Sequence, residues 1–167
     1  MATTSSSCPC PYTCENEIDL RLYLKQVVGG TDQNQFEIYR PKTGIFGTTV
    51  VNDWILVDAP VPNAKVIARA QGLHVLSDLA SVGWFVSLNI AFQPDNRFNG
   101  STLQVMGVLP PEGQWAIVGG TGELAMARGT IKHSALPPPP PGSTFGFRQL
   151  DIHALYPKNA AERMELF

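Results

Sequence analysis

From Glu17 to Val28 the chain reads EIDLRLYLKQVV, with Ile18, Leu20, Leu22 and Leu24 on one parity and Glu17, Asp19, Arg21 and Lys25 on the other. A period of two marks a strand with one wet face, because successive side chains leave a pleated backbone on opposite sides. The pattern recurs. Lys65 to Leu76 places Val66, Ala68, Ala70, Gly72, His74 and Leu76 together, and Trp84 to Phe92 alternates Trp84, Val86, Leu88, Ile90 and Phe92 with Ser87 and Asn89. Further β-rich runs lie at 47–57, 101–109, 114–118, 123–132 and 145–155, so about eight short strands are predicted, with no convincing long helix. Turn sequences DNRFNG, PPEG and GGTG separate several of them. Such spacing predicts an all-β sandwich or a closed barrel, and closure leaves no edge strand exposed. Pro137 to Pro141 cannot donate into a ladder and predicts an exposed polyproline-like loop before the last strand.

The 167 residues suffice for one self-sufficient core, here bounded at 17–156, with a Cys/Ser/Pro-rich tail at 1–16 and a linker stub at 157–167. Only 16% of residues are charged while 44% are hydrophobic, which predicts that some apolar surface meets another chain. A formal charge of −2 offers no attraction to a polyanion, so nucleic acid is excluded as a partner. No run approaches ~20 apolar residues, and no membrane span is expected. The opening MATTSSS has neither a basic start nor an apolar run, so a cytoplasmic location is expected. Cys8, Cys10 and Cys14 crowd into CPCPYTC; a closed zinc site needs a fourth ligand that nothing nearby supplies, so reduced thiols in a solvated tail are expected, with no metal.

On the residues alone, His74 falls on an inward parity, where small barrels hold either core or ligand. Arg128 shares parity with Leu124 and Met126, and an inward guanidinium needs a partner, so Asp53 or a ligand is expected beside it. Glu123 has the opposite parity and should face away unless a bulge follows GGTG. Trp84, Phe92, Phe98 and Trp115 suit core packing or stacking on a ring, and Asn89 suits a structural hydrogen bond. Asn99-Gly100-Ser101 reads as a tight turn more readily than as a glycosylation site.

The stretches GTTVVNDWILVDAP (47–60), AKVIARAQGLHV (64–75), NGSTLQVMG (99–107) and VGGTGELAMARG (118–129) resemble the plant dirigent family. That resemblance spans roughly Ile18 to Tyr156. It implies an eight-stranded antiparallel β-barrel of the dirigent and allene-oxide-cyclase-like type, commonly trimeric, working without a cofactor. Secreted members steer the coupling of two phenoxy radicals made by a separate oxidase, and others assist ring closure through a quinone methide. Carried over by motif, the family's acid of V-x-D falls on Asp53 and its arginine of A-R-G on Arg128, the two catalytic candidates should the chain be dirigent-active. The frequent Asp after GGTG is Glu123 here, and the common Tyr after R-A-Q-G is His74, which changes the proton chemistry available. With no secretory signal, the chain is similar to the dirigent half of grass chimeras that continue into a mannose-binding jacalin-related lectin domain and are associated with defence and stress. The leading expectation is therefore a binding module whose pocket, formed by Asp53, His74, Glu123 and Arg128, takes a saccharide; the alternative is a dirigent auxiliary, or a related isomerase or cyclase, acting on phenolics.

Overall fold

The structure is a computed structural model that describes residues 15–158, apart from Pro62 and Pro111. The three tail cysteines and most of the 157–167 segment lie outside the described residues. Nine antiparallel strands are present among those described: β1 (Glu15–Val27), β2 (Gln35–Tyr39), β3 (Thr49–Val57), β4 (Val66–Leu76), β5 (Trp84–Phe92), β6 (Thr102–Val108), β7 (Glu112–Thr121), β8 (Arg128–Ala135) and β9 (Phe145–Pro157). They make one sheet ordered β1-β9-β8-β7-β6-β5-β4-β3-β2, and β1 returns to pair with β3. Eight strands thus close a barrel, and β2 lies outside the ring as a ninth.

The ring closes through a short seam. β1 and β3 share only Tyr23–Val57, Leu24–Leu56 and Lys25–Ile55, after which β3 gives its edge to β2, from Gln35–Asn52 to Tyr39–Thr49. Asn34 sits in the fork. Its Oδ1 accepts from Val27 N–H at 2.8 Å, its Nδ2 donates to the Lys25 carbonyl at 3.0 Å, and its own carbonyl accepts from Asp53 N–H at 2.9 Å. The alternation rule missed β2, because Phe36, Ile38 and Tyr39 are all exposed and no buried face marks the segment. Pairing with β3 defines it instead.

Inside the ring, Leu24, Trp54, Leu56, Ala70, Ile90, Val105, Trp115, Ile131 and Leu150 have no more than a trace of accessible surface. The middle of the barrel is packed with side chains, as an eight-stranded ring just wide enough for its own residues should be. The single pocket of Asp53, His74, Glu123 and Arg128 expected from sequence is not found inside the ring: ligand-sized space lies at one end and on the outer wall. One glycine fits this packing closely, since a Cβ on Gly107 would lie 2.7 Å from Trp115 Cδ1.

The run expected as a strand over 123–132 is two things. Gly122–Leu124 is a 3-10 turn, Met126 takes a left-handed φ of 62°, and β8 begins only at Arg128 and continues to Ala135. Residues on either side of that turn do not share a parity.

Candidate functional site

At one end of the barrel the interior is closed by aromatic packing. Phe92 and Phe98 have ring centroids 5.3 Å apart, and Phe98 meets Tyr156 edge-on at 6.3 Å. The Asn99-Gly100 pair forms the turn beside it, with Gly100 at φ 73°.

The other end is open, and two tryptophan–histidine pairs stand in it. The first comes from β3, β4 and β5. Asn52 and Trp54 project inward from β3 and His74 from β4; the His74 ring stacks on Trp54 at 5.3 Å and meets Trp84 edge-on at 4.9 Å. Trp54 Nε1 donates to Gln35 Oε1 at 2.7 Å, which ties β2 to this wall. Asn52 Nδ2 donates to the Ala70 carbonyl at 3.1 Å, so its oxygen faces His74 Nδ1 at 3.4 Å. That contact is favourable only if Nδ1 carries the hydrogen, which leaves Nε2 with a lone pair. Burial pushes the His74 imidazole down to about 4, so the ring is neutral near pH 7. A cavity of about 440 Å³ opens here, bounded by His74, Trp84, Val50 and Leu76 below and by Gln35, Glu37 and Arg40 of the β2 segment above. Its size falls in the ordinary range for small-molecule sites.

The second pair comes from β7, β8 and β9. Trp115 lies against His133 with centroids 4.5 Å apart, and Trp115 Nε1 donates to the Val108 carbonyl at 2.8 Å. Arg148, inward on β9, brings Nη1 to 2.8 Å from His133 Nδ1. A guanidinium can only donate, so Nδ1 is the acceptor and the hydrogen sits on Nε2, the reverse of His74. Burial, and then the Arg148 charge, push His133 down to about 4, with the nearby Val108 carbonyl opposing them in part. His133 Nε2 is buried and makes no hydrogen bond among the described residues.

Of the four pocket residues expected from sequence, Asp53, His74, Glu123 and Arg128, the structure brings only His74 to this mouth. Asp53 projects outward, since Asn52 and Trp54 on either side of it point in. It accepts from Arg69 Nε at 2.8 Å and Nη2 at 2.5 Å, and that guanidinium holds its carboxyl below the usual range. The pair borders an outer-wall groove of about 480 Å³ beside the seam. Arg128 also faces outward and is bidentate to Glu15, so the expected Asp53–Arg128 partnership is corrected. The reason is the Met126 turn, which breaks the parity that linked Arg128 to Leu124. Glu123 stands at the aromatic-closed end, where it accepts from Tyr156 Oη at 3.3 Å. Thr121 is level with Ala91 through Thr102, and His74 with Val86, so the two sites are about 17 Å apart along β5.

Four residues of the mouth were passed over in the sequence: Gln35, Asn52, His133 and Arg148. Arg148 had a signal, since it shares parity with Leu150 and Ile152; so did His133, two residues beyond Ile131. Asn52 shares parity with Trp54, but apolar residues on both sides of β3 hid the inward face.

The sequence pattern of the dirigent-like protein family matches residues 17–142. Dirigent protein 8 of Arabidopsis thaliana is 30% identical over 128 residues, 73% of each chain. Pterocarpan synthase 1 of Glycine max is 38% identical over 119 residues, 66% of this chain and 63% of that one. Among solved structures, the pterocarpan synthase dirigent protein GePTS1 superposes with a TM-score of 0.78 at 27% identity, covering 87% of both chains. PsPTS1, of the same description, gives 0.74 at 25%, covering 88% of this chain and 99% of its own.

Proposed function

The chain belongs to the family of dirigent-like proteins, and on that premise we propose that it guides an aromatic, phenol-bearing intermediate at the open mouth of its barrel, steering radical coupling or ring closure without a cofactor of its own. The observation that carries this reading is the wall that His74 and Trp84 give the 440 Å³ cavity, with Trp54 stacked behind the imidazole. Tryptophan faces bind flat rings by contact area, and the neutral His74 adds one hydrogen-bond acceptor, Nε2, to fix the hydroxyl end. An imidazole with a pKa of about 4 is some six units too weak to strip a phenol of ordinary pKa, so His74 orients the substrate and leaves the proton where it is. Stereocontrol then comes from presenting one face of the ring, and any one-electron oxidation is supplied by a separate oxidase.

Relatives that are dirigent proteins and pterocarpan synthases favour this reading over the saccharide-binding module, followed by a lectin domain, expected from sequence; Asp53 and Arg128, which both readings enlisted, point away from the mouth. Self-association belongs to the same proposal. Val51, Leu73 and Met106 stand exposed on the outer wall of β3, β4 and β6, and Val51 pairs directly with Leu73, giving an apolar stripe suited to a second copy. Leu73→Lys should then shift the chain to a monomer in light scattering.

The test has two arms, oxidation of a coniferyl-type monolignol and ring closure of a phenolic precursor to a pterocarpan, each run with and without the protein. Enantiomeric enrichment of the coupled product or a faster closure is expected, lost in Trp84→Ala and His74→Ala. Racemic product together with an unchanged closure rate would remove the proposal.

A further inference from the structure

On the opposite wall of the barrel, β1 and β9 run side by side along the whole of β1, from Glu15–Pro157 to Val27–Phe145. Asp19 is paired directly with His153 in that ladder, and Glu17 is two residues along the same face of β1. His153 Nδ1 lies 3.0 Å from Asp19 Oδ1 and 3.5 Å from Glu17 Oε1, and one ligand atom from each of the three side chains falls within 4.8 Å of the others. An ion held at about 2.1 Å by nitrogen and oxygen ligands sets them about 3.0 Å apart at a right angle and about 3.4 Å apart at a tetrahedral angle. The two histidine distances match that range before any side chain moves.

Charge points the same way. The next pair along this face, Arg21 with Asp151, is already neutralised at 2.5 Å, whereas no lysine or arginine pairs with Glu17 or Asp19 among the described residues. Two carboxylates and one imidazole are therefore carried on two strands paired to each other along the whole of β1, and all three side chains are open to solvent, which leaves room for further ligands such as water. From this geometry we infer that Glu17, Asp19 and His153 form a surface site for a divalent transition ion of the nickel, copper or zinc kind. The imidazole selects these over calcium and magnesium, which take oxygen alone. The site lies on the outer wall and stands independently of the mouth and its ligand.

The 167-residue chain, with Cys8, Cys10 and Cys14 changed to serine so that the tail thiols cannot compete, is titrated with Ni²⁺ while amide NMR signals are followed. One saturable equivalent is expected, with paramagnetic broadening centred on residues 17–19 and 152–154. His153→Ala should abolish saturation over the range in which the parent saturates, and Asp19→Asn should weaken it. Both side chains project from the wall into solvent, so the thermal unfolding midpoint should hold in each variant; were His153→Ala unfolded, Glu17→Gln with Asp19→Asn reads the same loss. Broadening centred elsewhere, saturation that survives His153→Ala, or no saturable binding would each overturn the assignment.

Discussion

The two tryptophan–histidine pairs at the open mouth are built alike and used differently. Each histidine is buried against a tryptophan, and each imidazole is pushed down to about 4. Around His74 burial alone does this, and a cavity lies beside the ring. Around His133 a guanidinium 2.8 Å away adds its charge and fixes the opposite tautomer. One residue type thus gives a cavity-facing imidazole on β4 and a structural acceptor on β8, and the deciding variable is what the neighbouring strand points inward.

The largest expected effect separates the pairs by stability. Trp115 is wholly buried, so Trp115→Ala should cost about 3–5 kcal/mol in denaturant unfolding. Trp84 is only half-buried beside the cavity, and Trp84→Ala should cost clearly less; equal losses would break the distinction.

Acid comes next. A histidine whose folded value is depressed binds no proton in the native state while the unfolded chain does. Stability should therefore be intact above about pH 6.5 and fall as pH drops toward 4, by about 3 kcal/mol for each of the two rings. Unfolding followed from pH 7 to 4 should show a flatter slope in His74→Gln and in His133→Gln, each removing about half.

Arg148→Met sharpens the contrast further. The His133 resonance should titrate higher, though still below 6.5 because burial is the larger cause, while His74 stays near 4. Movement of both rings together would mean that they share an environment. The smallest effect is expected outside the mouth: Asp53→Asn breaks an ion pair more than a third exposed on both sides, worth at most about 1 kcal/mol, and should leave product stereochemistry unchanged.

Much of the fold could be read from the chain because alternation is local. Whether Ile18, Leu20 and Leu22 share a face depends only on their spacing, and the inward position of His74 followed from Ala68, Ala70 and Leu76 in the same way. Arg148 obeyed the same rule and was overlooked, whereas Asp53 was placed by motif alone on a strand apolar on both faces, and the parity read for Arg128 did not hold through the Met126 turn. What the chain by itself determined is therefore the set of strands and, strand by strand, most of the faces. Which strand lies beside which, where the seam closes on Asn34, and which histidine borders open space were decided by tertiary structure alone. Those outcomes depend on contacts between residues far apart in sequence, and on how completely large side chains fill a ring of fixed width.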